Sequence, residues 1–122
     1  MLRFETGDHG CFIKFDGIRK NFEANALAHA FNPGNRPENG DIHFDDDENW
    51  TFNSTEGSNL YQNAVHEIGH ALGLDHTKLK KAVMFPYVAN YYSGFKLDAD
   101  DIAVQNFFYN KCSSMTTITL HF

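Results

Sequence analysis

Cysteine is scarce: the 122 residues hold only Cys11 and Cys112. Two cysteines cannot define a disulfide framework, so sulfur content does not assign a compartment. Basic residues are also outnumbered, ten Lys and Arg against sixteen Asp and Glu, which leaves a net charge of −6 with His neutral. The electrostatic footprint of a nucleic-acid binder is therefore missing. No apolar run is long enough to span a bilayer, and Met1-Leu2-Arg3-Phe4-Glu5 lacks the long apolar centre of a signal peptide. Aromatic residues are plentiful at 15%, twelve of them Phe, enough material for the modest core of one domain.

The densest chemistry lies in His66-Glu67-Ile68-Gly69-His70-Ala71-Leu72-Gly73-Leu74-Asp75-His76. His66 and His70 are four residues apart, so on a helix they share a face one turn apart. Two imidazoles so placed can grip one Zn²⁺. Glu67, beside the first of them, can reach a water on the metal. Gly73 can take positive φ, stop the helix and turn the chain back, which lets His76 add a third nitrogen. Three protein ligands leave a fourth position open, the mark of a catalytic rather than a structural zinc. Met84 follows eight residues after His76, within Ala82-Val83-Met84-Phe85-Pro86.

These residues resemble the metzincin clan of zinc peptidases, with Met84 in the Met-turn that packs beneath the zinc. Upstream, the pieces Gly7-Asp8-His9-Gly10, Phe15-Asp16-Gly17, Leu27-Ala28-His29-Ala30-Phe31-Asn32-Pro33-Gly34 and Gly40-Asp41-Ile42-His43-Phe44-Asp45-Asp46-Asp47-Glu48-Asn49-Trp50 occur in that order. They narrow the resemblance to the catalytic domain of matrix metalloproteinases, over residues 1 to 109, with an unmatched tail at 110–122. The implied fold is α+β: a mixed twisted sheet, the zinc-binding active-site helix, the Met-turn and a C-terminal helix. The family's domain opens with two strands and a long helix that this chain does not contain. The chain therefore reads as roughly the last two thirds of a catalytic domain, with no pro-segment.

The resemblance implies two zincs and calcium. His66, His70 and His76 would bind the catalytic zinc. A structural zinc would take His9, His29 and His43, and a fourth ligand where the family has an aspartate. This chain has Cys11 there, two residues after His9. Zinc accepts thiolate readily, so Cys11 is the expected fourth ligand. A free thiol, a disulfide with Cys112, or Asp8 in its place stay open. Asp41, Asp45, Asp46, Asp47 and Glu48 put five acids within eight residues, which suits a hard cation as well as a solvated loop. The resemblance assigns Asp16, the Gly17 carbonyl, Asp45 and Glu48 to one calcium. Asp41 would serve a second, whose other acid in the family precedes residue 1.

Periodicity supplies the elements. Residues 1–6 and 41–45 alternate as strands, and Leu27–Phe31 is a short apolar strand stopped by Asn32-Pro33-Gly34. The zinc helix runs from about Tyr61 to Gly73, with Tyr61, Ala64, Val65, Ile68, Ala71 and Leu72 as its expected core face. Asp98-Ala99-Asp100-Asp101 starts the last helix, whose expected buried stripe is Ala99, Ile102, Ala103 and Phe107.

The implied activity is that of a secreted, extracellular zinc endopeptidase acting on proteins of the matrix type. Glu67 would act as general base toward a zinc-bound water. The substrate would lie extended along an edge strand at Leu27 and Ala28, with Pro86, Tyr87 and Val88 walling the specificity pocket. Protein inhibitors could enter the same groove, and no membrane segment is expected. Gln62 lies four residues before His66, at a pocket position often apolar in the family, and should weaken the preference for large apolar side chains. The competing reading is a catalytically silent metal-binding or decoy fragment of the same fold. Missing segments and Cys11 favour it; the intact Glu67 and three histidines oppose it.

Overall fold

The computed structural model describes residues 1–7, 26–87 and 91–112. Its elements are β1 (Leu2–Glu5), β2 (Ala28–Ala30), β3 (Ile42–Asp45), β4 (Trp50–Thr51), β5 (Ser58–Asn59), α1 (Leu60–Ala71) and α2 (Ala99–Cys112). β3 is the middle strand of a mixed sheet ordered β1-β3-β2. It runs parallel to β1, with Phe4 opposite Phe44, and antiparallel to β2, with His29 opposite His43. Hydrogen bonds from Asp45 N–H to Leu27 O and from Phe31 N–H to Asp41 O carry the β2 pairing to both ends of the expected Leu27–Phe31 strand.

The alternation in β3 separates two buried faces rather than a core from solvent. Ile42 and Phe44 join Ala28 in the apolar core, against Trp50, Leu60, Ala64 and Ala71. His43 and Asp45 are just as buried on the other face. A central strand covered on both sides can hide polar residues only if they find partners. β4 and β5 form a second, parallel pair, with Trp50 opposite Ser58.

Asn59 caps α1, its side chain accepting from Gln62 N–H at 2.9 Å. The helix ends in a Schellman turn: Gly73 N–H donates to His70 O, Leu74 N–H donates to Gly69 O, and Gly73 takes φ 93°. Its burial departs from the expected core face. Tyr61 and Ile68 are 60% and 44% exposed, whereas Gln62, Asn63, His66, Glu67 and Gly69 are buried. Only Ala64 and Ala71 of the apolar stripe, with Leu60 at the helix start, pack against the sheet core. The adjoining polar face is covered by the segment around Val83 and Met84, so α1 is held on two sides.

α2 departs as well. Ala99 and Ala103 are exposed and Ile102 is 45% exposed; the side chain of Phe107 lies outside the described residues. The buried residue of its first turns is Asp101. Helix α2 is thus anchored by a carboxylate at its N-terminus, where acids are also favoured by the helix dipole. No helix among the described residues is long and apolar enough to cross a membrane.

Candidate metal centre

Helix geometry sets His66 and His70 side by side, and the turn at Gly73 brings His76 back over them. His76 Nε2 lies 3.2 Å from His66 Nε2 and 3.1 Å from His70 Nε2. The remaining ring nitrogens are committed elsewhere. His66 Nδ1 lies 2.6 Å from Val83 O, and His70 Nδ1 lies 2.7 Å from Leu74 O. A carbonyl oxygen only accepts, so both rings carry their proton on Nδ1 and turn an Nε2 lone pair toward the same point. Three nitrogens bound to one tetrahedral zinc at 2.0–2.1 Å would stand about 3.3 Å apart. The observed spacing fits such an ion, and His66, His70 and His76 form a group that could hold a metal.

Burial tunes this group. His66 is pushed down to about 4, chiefly by burial, with the neighbouring His70 and His76 opposing its charge. His76 is lowered for the same leading reason. Neutral imidazole is the ligand form, so the fold favours the state that binds metal. Glu67 is buried, and its Oε2 has no hydrogen-bond partner in the structure. That burial raises its carboxyl to about 7. An unpartnered buried carboxylate oxygen on the helix that carries His66 and His70 fits a role in moving protons. His76 is exposed, so the group opens to solvent on one side.

Met84 is 3% exposed under this centre, and a Cβ built on Gly69 would run into its Sδ. Thr77 N–H donates to Met84 O at 2.9 Å, closing the loop that carries His76. Asp101 holds the other side. It accepts from Val83 N–H (2.9 Å), Met84 N–H (3.2 Å) and Asp98 N–H (2.8 Å). The sequence marks Asp101 as a first-turn acid three residues after Asp98, a capping signature. Its reach across to residues 83 and 84 carries no local signal.

A family model for matrixin matches residues 1–110. The chain belongs to the matrixin family. It is 44% identical over 119 residues to the hatching enzyme of Paracentrotus lividus, covering 97% of this chain and 19% of that protein. It is 48% identical over 103 residues to a macrophage metalloelastase of Oryctolagus cuniculus, covering 84% and 21%. With stromelysin-1 of Mus musculus the identity is 45% over 104 residues, covering 84% and 20%. The chain thus spans about a fifth of the length of these relatives.

Beyond the three histidines, the matrixin chain brings some expected residues together. His29 and His43 face each other across β2 and β3 with ring centroids 5.0 Å apart, and Phe31 packs edge-on to both. His9 and Cys11 lie outside the described residues, as do Asp16, Gly17 and Val88. Asp45 and Glu48 share one turn: Glu48 N–H donates to Asp45 O at 3.3 Å. Asp45 Oδ1 accepts from Asp47 N–H, and Glu48 Oε2 accepts from Ser58 Oγ. Asp41 lies at the far end of β3, its carbonyl accepting from Phe31 N–H.

Strand β2 is an edge of the described sheet. Leu27, His29 and Phe31 turn their backbone groups toward β3, so Ala28 and Ala30 point theirs outward. Pro86 and Tyr87 are exposed. Gln62 and Tyr87 line a cavity of about 450 Å³ next to the centre, together with Tyr92 and Phe95.

Proposed function

We propose that this chain is the zinc-binding part of an endopeptidase of the matrix metalloproteinase kind, secreted and acting on extended stretches of extracellular proteins. The observation that carries the reading is the convergence of three Nε2 atoms at the helix that also holds the buried, unpartnered Glu67 Oε2. His66, His70 and His76 would hold the zinc. When bound, zinc polarises a carbonyl and lowers the pKa of a bound water toward about 7. A dication nearby also favours the ionised form of Glu67 that a base requires. Glu67 Oε2 then takes the proton of the attacking water and returns it to the leaving amine. The outward backbone groups of Ala28 and Ala30 add a substrate strand to the sheet edge and set its carbonyl in place. Leu27 and Ala28 contact it from that side, and Pro86, Tyr87 and Val88 from the other. Met84 supports the ligands from below.

The second metal set belongs to the same proposal. His29 and His43, already adjacent, would bind a structural zinc with His9 and Cys11. Asp16, Gly17, Asp45 and Glu48 would bind calcium, and Asp41 a second calcium ion.

The test is hydrolysis of a fluorogenic peptide by the zinc-loaded chain. Cleavage should stop on chelation and return with zinc, and Glu67→Gln should abolish it while zinc stays bound. Zinc binding without any cleavage would leave the silent metal-binding fragment as the reading. Turnover by Glu67→Gln within tenfold of the parent would remove Glu67 from the role of base.

A further inference from the structure

The cavity beside the metal centre has a floor that suits a polar ligand. Gln62 precedes His66 by four residues of α1, about 6 Å along the axis. Val83, whose carbonyl meets His66 Nδ1, lines the same cavity, which therefore lies next to the ring of His66. Gln62 is only 3% exposed, and its Oε1 accepts from Tyr92 N–H at 3.3 Å. A backbone N–H can only donate, so the oxygen must face Tyr92 and the amide cannot be turned over. Its NH₂ group meets no acceptor among the described residues. Two donors are thus turned to the open space of the cavity and available to whatever fills it.

The charge around it points the same way. Lys80, Lys81 and Lys96 line the cavity, against the single carboxylate of Asp98. One Asp98 oxygen is already engaged by Asp100 N–H at 3.1 Å. In a chain of net charge −6, this is a local excess of positive charge. An apolar side chain entering here would leave the Gln62 donors buried and unpaired. A carboxylate would accept from them and lie among the lysines.

We propose that this cavity receives a side chain bearing hydrogen-bond acceptors, glutamate first and glutamine second, from the substrate residue flanking the cleaved bond. This rests on the peptidase reading above.

The test compares peptides that differ only at the two flanking positions, carrying Glu, Gln, Leu or Met. With the zinc-loaded chain, kcat/KM for Glu at one of these positions should exceed that for Leu by about tenfold, with Gln between. Raising salt to 0.5 M should shrink the advantage of Glu over Gln and leave that of Gln over Leu. Gln62→Leu should put Leu ahead. Gln62→Glu keeps an acceptor for Tyr92 N–H but removes the donors, and should abolish the preference for Glu even where Gln62→Leu folds poorly. Leu cleaved best by the parent, or an order unmoved by both variants, overturns the proposal and leaves the peptidase reading standing. If no peptide is cut, the peptidase reading fails. Calorimetric titration of zinc-loaded Glu67→Gln with the same peptides then decides the cavity separately: tighter binding of the Glu peptide supports it, and equal or tighter binding of the Leu peptide overturns it.

Discussion

The thioether of Met84 occupies the space that a side chain at Gly69 would need. Gly69 sits on α1 between Glu67 and His70, so this contact sets how closely the loop through Val83 approaches the helix. That approach in turn places the Val83 carbonyl on His66 Nδ1. The metal ligands are therefore aimed by packing behind them as well as by their spacing in the helix.

Gly69→Ala should destabilise the chain by about 1–3 kcal/mol through overpacking, despite alanine's better helix propensity. It should also weaken zinc binding, because Met84 and Val83 must shift. Adding Met84→Ala should recover part of both losses, as expected for residues in contact. Thermal unfolding of the metal-free chain and zinc titration check this. An unchanged midpoint in Gly69→Ala would mean the loop yields freely.

Asp101→Ala should cost about 2–4 kcal/mol, since it strands the N–H groups of Val83, Met84 and Asp98. Asp101→Asn should be no cure: one amide oxygen can accept, but the NH₂ then confronts an N–H. Both should lower zinc affinity through Val83. Denaturant unfolding with and without zinc reads both effects; Asn behaving like Asp would mean one oxygen suffices.

In the metal-free chain two buried groups oppose each other in pH. His66 falls from 6.5 to about 4, so between those values the unfolded chain binds more protons and stability rises with pH. Glu67 rises from 4.5 to about 7, so over that window the folded chain binds more protons and stability falls with pH. Each is worth about 3 kcal/mol over its full window. Between pH 4.5 and 6.5 they should nearly cancel, with His76 adding to the rise. Glu67→Gln removes the fall and should expose a stability that climbs with pH. Denaturant midpoints of both chelated proteins across this range measure it; parallel profiles would show that Glu67 does not titrate as buried.

Cobalt in place of the structural zinc should give an intense sulfur-to-metal absorption in the near ultraviolet, lost in Cys11→Ala. Zinc-type ions hold cysteine as thiolate, and His29 and His43 already stand together for such a site. A cobalt-loaded site without that band, or a band that survives Cys11→Ala, would take the sulfur off the metal.

Sequence alone determined the local geometry of the centre. The spacing of His66 and His70, the stop at Gly73 and the return of His76 follow from helix pitch and glycine's freedom, which need no distant partner. Strand positions at 28–30 and 42–45 were legible too, the first as a short apolar run stopped by Asn32-Pro33-Gly34 and the second through alternation. The face that α1 buries was not legible. Its apolar stripe ranks Tyr61 and Ile68 as core, yet the side that packs is set by a loop 17 residues beyond His66. Nor could periodicity reveal that Asp101 grips Val83 and Met84, or that Gln62 meets Tyr92 N–H 30 residues away. Those contacts exist because buried backbone donors must find acceptors, and only tertiary structure decides which acceptor is within reach.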